Sequence, residues 1–149
     1  MNPIDHAQLL IHVIFSTKNQ SLWIDEHIEP LLYDRISKIL YDDCYSPALQ
    51  IGGGAEHVHI LFVQSRDRSI ESIVNLIKSK TSKFVGKWIS DFDWQESYLA
   101  VSASRMSDAI EKDYIARQKQ IHEKLSYKDE FINFLTQHEI EYDETDLWD

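Results

Sequence analysis

The segment HVHILFV at residues 57–63 constrains the fold of this 149-residue chain more than any other stretch. Its β-branched and aromatic residues predict a strand, and successive side chains of a strand point to opposite faces of its sheet. The apolar residues at the even positions therefore share one face and fit a core. His57 and His59 stand side by side on the other face, which Leu61 and Val63 continue. The segment predicts a sheet with one apolar face and one face that carries two imidazoles.

Hydrophobic periodicity predicts the remaining elements. The predicted strands lie at 8–16, 48–51 and 98–105, and the predicted helices at 26–41, 69–88, 107–122 and 128–138. The order β-α-β-β-α-β-α-α predicts an α+β sandwich with a mostly antiparallel sheet. We expect a single domain over residues 1–149, with a body at 1–138 and an acidic C-terminal tail at 139–149.

The net charge of −10 argues against nucleic-acid binding only until the charges are placed along the chain. Residues 139–149 hold 6 acidic residues and no basic one, which leaves 15 basic and 19 acidic residues and a charge of −4 on the body. Residues 66–87 hold 6 basic and 2 acidic residues, and residues 112–128 hold five more basic ones. A cationic surface on the body is therefore compatible with the composition.

The basic residues of one predicted helix form a stripe. Lys80, Lys83 and Lys87 fall within about 60° of one another around the helix axis, and Arg66 and Arg68 belong to the loop that precedes the helix. An ordinary solvated helix face would look the same. The functional interpretation is a phosphate-binding track beside the histidine pair.

Cysteine usage and hydrophobicity indicate a soluble protein of the cytoplasm. The single cysteine, Cys44, excludes an intramolecular disulfide and a cysteine-based zinc cluster, and it fits a reducing compartment. The N-terminal apolar run contains Asp5 and His12 and lacks the features of a signal peptide. No stretch approaches the roughly 18–20 apolar residues of a membrane span, so we expect no membrane partner.

Four residues could carry chemistry. His57 and His59 could chelate a divalent metal, although a lone H-x-H pair is more often two half-buried histidines bonded to backbone or water. Tyr114 and Gln118 lie one helical turn apart, so an amide oxygen could complete a metal shell while the neighbouring hydroxyl attacks. Taken singly, the tyrosine is more typical of packing and the glutamine of a solvated helix face.

Two further groups have open interpretations. Trp94, Gln95 and Tyr98 could stack on bases, or they could pack in the core. The acidic tail is most simply a solvated extension. Its Leu147 and Trp148 are nevertheless unusual for a disordered segment, and with Tyr142 they could dock on the body or on a second subunit.

Several segments together resemble the small single-tyrosine transposases of the insertion-sequence 200/605 group, including the relatives associated with repetitive extragenic palindromes. The matching segments, in chain order, are HVIFSTKNQ at 12–20, EHVHILF at 56–62, SIESIVNLIKSKTSKFVGKWI at 69–89, WQESYLAVSAS at 94–104, YIARQ at 114–118 and HEIEYDETDLWD at 138–149. One departure is Ser97, where family members usually carry glycine. The net charge is also more acidic than is typical of a DNA transposase.

The resemblance implies a role for each residue of the two motifs. His57, His59 and Gln118 would be metal ligands, and Tyr114 would be the nucleophile. It also implies a ferredoxin-like sandwich with helices on one face of the sheet, a mobile C-terminal helix that bears the tyrosine, and a homodimer with composite active sites. The substrate would be single-stranded DNA at the end of a mobile element, recognised through a hairpin.

The chemistry implied is strand transfer. Mg²⁺ would be the physiological cation, and Mn²⁺ should also support activity. The phenol of Tyr114 would attack a phosphate, release a 3′-hydroxyl and remain linked to the 5′-phosphate. The 3′-hydroxyl of another strand could then reverse the step.

Three alternatives compete with this interpretation. A histidine-triad nucleotide hydrolase is disfavoured because Leu61 stands where that motif needs a third histidine. A catalytically silent, ferredoxin-like regulator that binds nucleic acid remains open. So does a host-encoded relative that processes palindromes by the same chemistry without moving its own gene.

Overall fold

A computed structural model describes residues 6–148 of the chain. It contains a four-stranded antiparallel sheet in the order β2-β3-β1-β4. The strands are β1 (Leu9–Ser16), β2 (Ala48–Gly53), β3 (His57–Gln64) and β4 (Leu99–Ala103). The helices are α1 (Ile28–Lys38), α2 (Ile70–Val85), α3 (Asp108–Ala116), α4 (Gln118–Ile121), α5 (Tyr127–Gln137) and α6 (Glu144–Leu147). The predicted α+β class, the ferredoxin-like sandwich and the antiparallel sheet are confirmed.

Helices α1 and α2 cover the apolar face of the sheet. Val58, Ile60 and Phe62 of β3 pack against apolar residues of both helices and are fully buried, as their spacing predicts. Ser69 begins α2, because its side chain accepts a hydrogen bond from the backbone N–H of Ser72. A π-helical turn at Ile39–Asp43 extends α1. No helix within residues 6–148 combines the length and the hydrophobicity that crossing a bilayer requires.

The C-terminal helices cover the opposite face of the sheet, in addition to the α1–α2 layer that the resemblance led us to expect. This second face of the sheet also carries apolar residues, Ile14 and Leu99, and aromatic and aliphatic residues of α5 pack on them. The helix predicted at 107–122 is interrupted at Arg117, whose φ of −96° and ψ of 18° are not helical. Its two parts, α3 and α4, thereby turn over the edge of the sheet.

Gly52 permits close packing of α3 on the edge strand β2. A Cβ atom at this position would lie 2.2 Å from the carbonyl oxygen of Ile115, so a larger residue would push the helix away from the sheet. Tyr114 precedes Ile115 on this helix. The glycine therefore helps to set the distance between the tyrosine helix and the sheet.

The end of the acidic tail docks on the body of its own chain, whereas residues 139–146 are exposed to solvent. Leu147 is 9% exposed, and the side-chain amide of Gln95 donates a hydrogen bond of 3.2 Å to its carbonyl oxygen. The ring of Trp148 lies 5.5 Å from that of Phe131 on α5. The tail is therefore a solvated extension over residues 139–146, where Tyr142 is 41% exposed, and docking on the body is limited to Leu147 and Trp148, which complete the second core.

The packing interpretation is correct for two residues of the W-Q-x-x-Y segment. Trp94 is 4% exposed, and its indole N–H donates to Thr81 Oγ1 at 2.8 Å. Gln95 is buried and accepts a hydrogen bond of 2.6 Å from the backbone N–H of Ser16. These side chains fix the loop before β4 and are not available to stack on bases.

Candidate active site

The two histidines of β3 are fully buried beneath the C-terminal helices, not half-buried. Both point to the face of the sheet opposite α1 and α2, as strand alternation predicts. The ring of His57 stacks on that of Tyr127, with centroids 4.4 Å apart. The carboxylate of Glu56 is hydrogen-bonded to His57 Nδ1. The Nε2 atoms of both histidines therefore face the space between the sheet and α5.

Gln118 and Tyr114 meet the histidines at this place. The Oε1 atom of Gln118 lies 2.8 Å from His57 Nε2, and Gln118 is 1% exposed rather than solvated. The ring of Tyr114 lies 5.9 Å from that of His59. One chain thus brings together all four residues that the sequence singled out, across 61 positions between His57 and Gln118.

Glu130 on α5 is a member of the site that sequence reasoning missed. Its Oε1 atom lies 3.1 Å from His59 Nε2 and 3.6 Å from His57 Nε2. Its Oε2 atom accepts hydrogen bonds from the Tyr114 hydroxyl and, at 2.9 Å, from Gln118 Nε2. In the sequence it stands in the first turn of a helix, where acidic residues are common for electrostatic reasons alone.

His122 is a second missed residue. Its Nε2 atom lies 2.9 Å from Glu130 Oε1 and 3.0 Å from Gln118 Oε1. Its Nδ1–H donates to the carbonyl oxygen of Leu125 at 2.6 Å. The spacing of four residues from Gln118 is a signal that could have placed it on the same helix face.

The electrostatics of the site centre on the Glu130 carboxylate. Burial opposes its ionisation, but hydrogen bonds with His122, His59 and Tyr114 outweigh burial and hold its pKa well below the ordinary value. Burial lowers the pKa of His59 to about 3, so its imidazole is neutral. Burial and the neighbouring Glu130 both raise the pKa of the Tyr114 phenol. In the absence of a cation the site therefore combines a carboxylate, neutral imidazole and protonated phenol.

The donor set fits a divalent cation. His57, His59 and Glu130 each offer one ligand atom, and these atoms lie within 4.8 Å of one another. The amide oxygen of Gln118 faces the same space. Mixed carboxylate, amide and imidazole donors suit Mn²⁺ and also accept Mg²⁺. The carboxylate of Glu130 is therefore a fourth candidate ligand, in addition to the predicted set of His57, His59 and Gln118.

A cavity of about 430 Å³ opens beside the tyrosine. Apolar side chains of α3 to α5 and two amides of α5 form its walls, together with His12, Glu111, Tyr114 and Glu130. The remaining lining residues are Ile110, Ile121, Leu125, Asn133, Phe134, Gln137 and His138. Material bound here would contact the phenol and the carboxylate at once.

The basic stripe does not lie beside the histidine pair. Lys80, Lys83 and Lys87 line a groove of about 500 Å³ between α1 and α2, on the other side of the sheet. Arg35 and Lys38 add two further cations to this groove, whereas Asp43 forms an ion pair of 2.7 Å with Lys80. The expectation of a phosphate track next to the metal ligands is wrong in position, because α2 packs on the apolar face.

The two arginines of the predicted DNA surface follow β3, at the end of the strand farthest from His57. The guanidinium of Arg68 lies over the ring of Tyr45, 5.4 Å from its centroid. Arg66 is also engaged in an interaction within the chain. Neither arginine belongs to the cluster around Glu130.

Comparisons with known proteins identify a family and a shared fold. Residues 5–118 match the family model of IS200-like transposases. A crystal structure described as a candidate transposase from Deinococcus radiodurans R1 superposes with a TM-score of 0.63 at 17% identity, covering 79% of this chain and 96% of that one. A REP-associated tyrosine transposase bound to a REP hairpin gives 0.62 at 16% identity, covering 82% of this chain and 74% of that one. No curated protein sequence matches the chain significantly.

Proposed function

Because the chain belongs to the family of IS200-like transposases, we propose that it cleaves and rejoins single-stranded DNA through a phosphotyrosine formed by Tyr114. One observation carries the proposal. The hydroxyl of Tyr114 is hydrogen-bonded to Glu130, which also lies 3.1 Å from His59 Nε2. A nucleophile and a cation-binding cluster are thus neighbours within one chain.

The cation would be held by His57, His59 and Glu130, with the Gln118 amide oxygen close by. When bound, a divalent cation supplies positive charge that polarises a non-bridging oxygen of the scissile phosphate. Mg²⁺ is the proposed physiological ion, and Mn²⁺ should replace it. Glu130 comes from a segment beyond the residues that match the family model, so its contribution is specific to the full chain.

The reaction conserves the number of phosphodiester bonds. The phenol oxygen of Tyr114 forms a bond to phosphorus, the bond from phosphorus to the 3′-oxygen breaks, and that oxygen takes up a proton. The carboxylate of Glu130 already accepts the hydrogen bond of the phenol, so it stands where a proton acceptor is needed. Attack by a different 3′-hydroxyl reverses these steps and joins new strands without an external energy source.

The proposed DNA partner is a single strand that carries a hairpin. The hairpin stem would bind the basic groove through Lys80, Lys83 and Lys87, with Arg66 and Arg68 as additional phosphate contacts. The single strand would reach Tyr114 through the cavity on the opposite side of the sheet. The homodimer remains a prediction that sedimentation would test, and the chemistry of the site does not require a second chain.

The covalent intermediate is the direct test. Incubation with a 5′-labelled or 3′-labelled single-stranded DNA hairpin and Mn²⁺ should give a denaturant-resistant adduct that retains the label of the 3′ fragment. Tyr114→Phe should abolish it. Tyr127→Phe is the matched control, because this ring also contacts His57 but its hydroxyl points to Gln95. An adduct that survives Tyr114→Phe would contradict the assignment.

The same experiment separates the transposase from a catalytically silent regulator, which would bind the hairpin without forming an adduct with any cation. A host-encoded relative that processes palindromes would form the same adduct. The position of short palindromes separates these two: they would flank the gene of a transposase that moves its own gene, and they would be scattered elsewhere for a host-encoded relative.

A further inference from the structure

A third histidine, His12 on β1, contacts the metal-binding pair from behind. Its Nε2 atom lies 2.9 Å from Nδ1 of His59, and the side chain is 2% exposed. Strand pairing produces this contact: His12 is opposite Leu61 and Ile14 is opposite His59, so the two histidines are diagonal neighbours on one face.

A carboxylate stands at the other end of His12. Glu111 Oε2 lies 3.2 Å from His12 Nδ1. Among residues 6–148 this buried oxygen has no hydrogen-bond partner, so it is free to accept the proton of His12 Nδ1 when that nitrogen carries one. Glu111 belongs to α3 and stands three positions before Tyr114.

A bound cation would fix where the protons of both rings lie. The cation would take the lone pair of His59 Nε2, so the proton of His59 would lie on Nδ1 and donate to His12 Nε2. The proton of His12 would then lie on Nδ1, facing the Glu111 carboxylate, which can only accept. Without a cation, His59 Nε2 lies 3.1 Å from the Glu130 carboxylate and donates its proton there.

His57 shows the same arrangement in a shorter form. The Glu56 carboxylate is bonded directly to its Nδ1, which would hold the proton of His57 there when a cation takes the lone pair of Nε2. Both candidate ligands are therefore backed by a carboxylate, one directly and one through His12. Carboxylates that back metal-binding histidines fix the tautomer and the orientation of the ring.

We infer that Glu111 and His12 are positioning residues that hold His59 in its metal-binding tautomer and tie that ligand to the helix of the nucleophile. The inference rests on the proposed cation site, and it is tested by cation affinity, independently of DNA cleavage. Movement of α3 would displace Glu111 and Tyr114 together. Ligand orientation and nucleophile position are therefore coupled through one helix.

The experiment uses the full chain and the variant Glu111→Gln, which keeps the shape but can offer an N–H group to His12. Nitrogen-15 NMR of the wild type should show the His59 proton on Nε2 without a cation and on Nδ1 with saturating Mg²⁺, and the variant should need more Mg²⁺ for this shift. Titration with Mn²⁺ should show a dissociation constant raised by about 10–100-fold, the usual effect of losing such a partner. Asp113→Asn is the matched control, since this exposed carboxylate of α3 pairs only locally with Arg117.

His12→Gln is a second variant, which interrupts the series of contacts from Glu111 to His59 at its middle, in case Glu111→Gln fails to fold. The inference would be overturned by a folded variant in which the His59 proton shifts at the wild-type Mg²⁺ concentration and the Mn²⁺ affinity is unchanged. If Mn²⁺ affinity falls as expected but the wild type never forms a phosphotyrosine, the positioning role stands and the proposed transposase activity fails. If the wild type forms a phosphotyrosine but neither variant changes the Mn²⁺ affinity, the proposed transposase activity stands and the positioning role fails.

Discussion

The two faces of strand β3 show how one short segment can serve stability and chemistry separately. Val58, Ile60 and Phe62 pack against α1 and α2 in an apolar core. Their neighbours His57 and His59 are equally buried, yet each is surrounded by polar partners from α4, α5 or β1. Burial therefore does not distinguish the two faces, whereas the presence of ring nitrogens that converge on one carboxylate does.

The largest effect should come from the polar face. His57→Gln and His59→Gln should each reduce adduct formation by at least about 100-fold, since a bound cation contributes several kcal/mol of charge stabilisation. Thermal unfolding should change little, because glutamine retains volume and hydrogen bonding. Loss of the folded state in both variants would instead support histidines that serve the core.

The matching test of the apolar face uses Ile60, the residue that follows His59. Ile60→Ala should lower the free energy of unfolding by about 2–5 kcal/mol, as large-to-small changes in a packed core do. At a temperature where the variant is still folded, its Mn²⁺ affinity and adduct yield should remain close to those of the wild type. A selective loss of Mn²⁺ binding in folded protein would show that the two faces are not independent.

Glu130→Gln tests the residue that joins the polar face from α5. The Mn²⁺ concentration for half-maximal adduct yield should rise, because a charged oxygen ligand is replaced by a neutral one. The pKa of Tyr114 in the metal-free protein should fall, because Glu130 raises it. Asp129→Asn changes an exposed acid on the same helix and should alter neither quantity.

The fold was largely predictable from sequence, because strand alternation and helix periodicity report burial directly. The histidine pair and the Tyr114–Gln118 pair were predictable as well, since each is local and carries a known spacing. Glu130 was not, because 71 positions separate it from His59 and nothing in its local pattern distinguishes it from a helix-capping acid. Its role depends on how α5 docks, which the tail helps to decide through Leu147 and Trp148.

The smallest effect should come from the groove on the apolar side. Replacing Lys80, Lys83 and Lys87 by glutamine should weaken hairpin binding and reduce the salt slope by about 0.9 for each DNA phosphate that the protein no longer neutralises. Asp43→Asn should act in the opposite direction, because it releases Lys80 from an ion pair. An unchanged salt slope would remove this groove from the DNA interface, while adduct formation at saturating DNA should be unaffected in either case.

The central claim is that one chain holds the complete set of reacting groups. Tyr114→Phe and the double variant His57→Gln/His59→Gln are each inactive by this account, and they can be co-expressed with different tags and incubated together with DNA and Mn²⁺. The account predicts that the mixture forms no adduct, because neither chain has both the phenol and the cation site. A DNA adduct on Tyr114 of the histidine-deficient chain would contradict it, since the nucleophile would then act at the histidines of another chain.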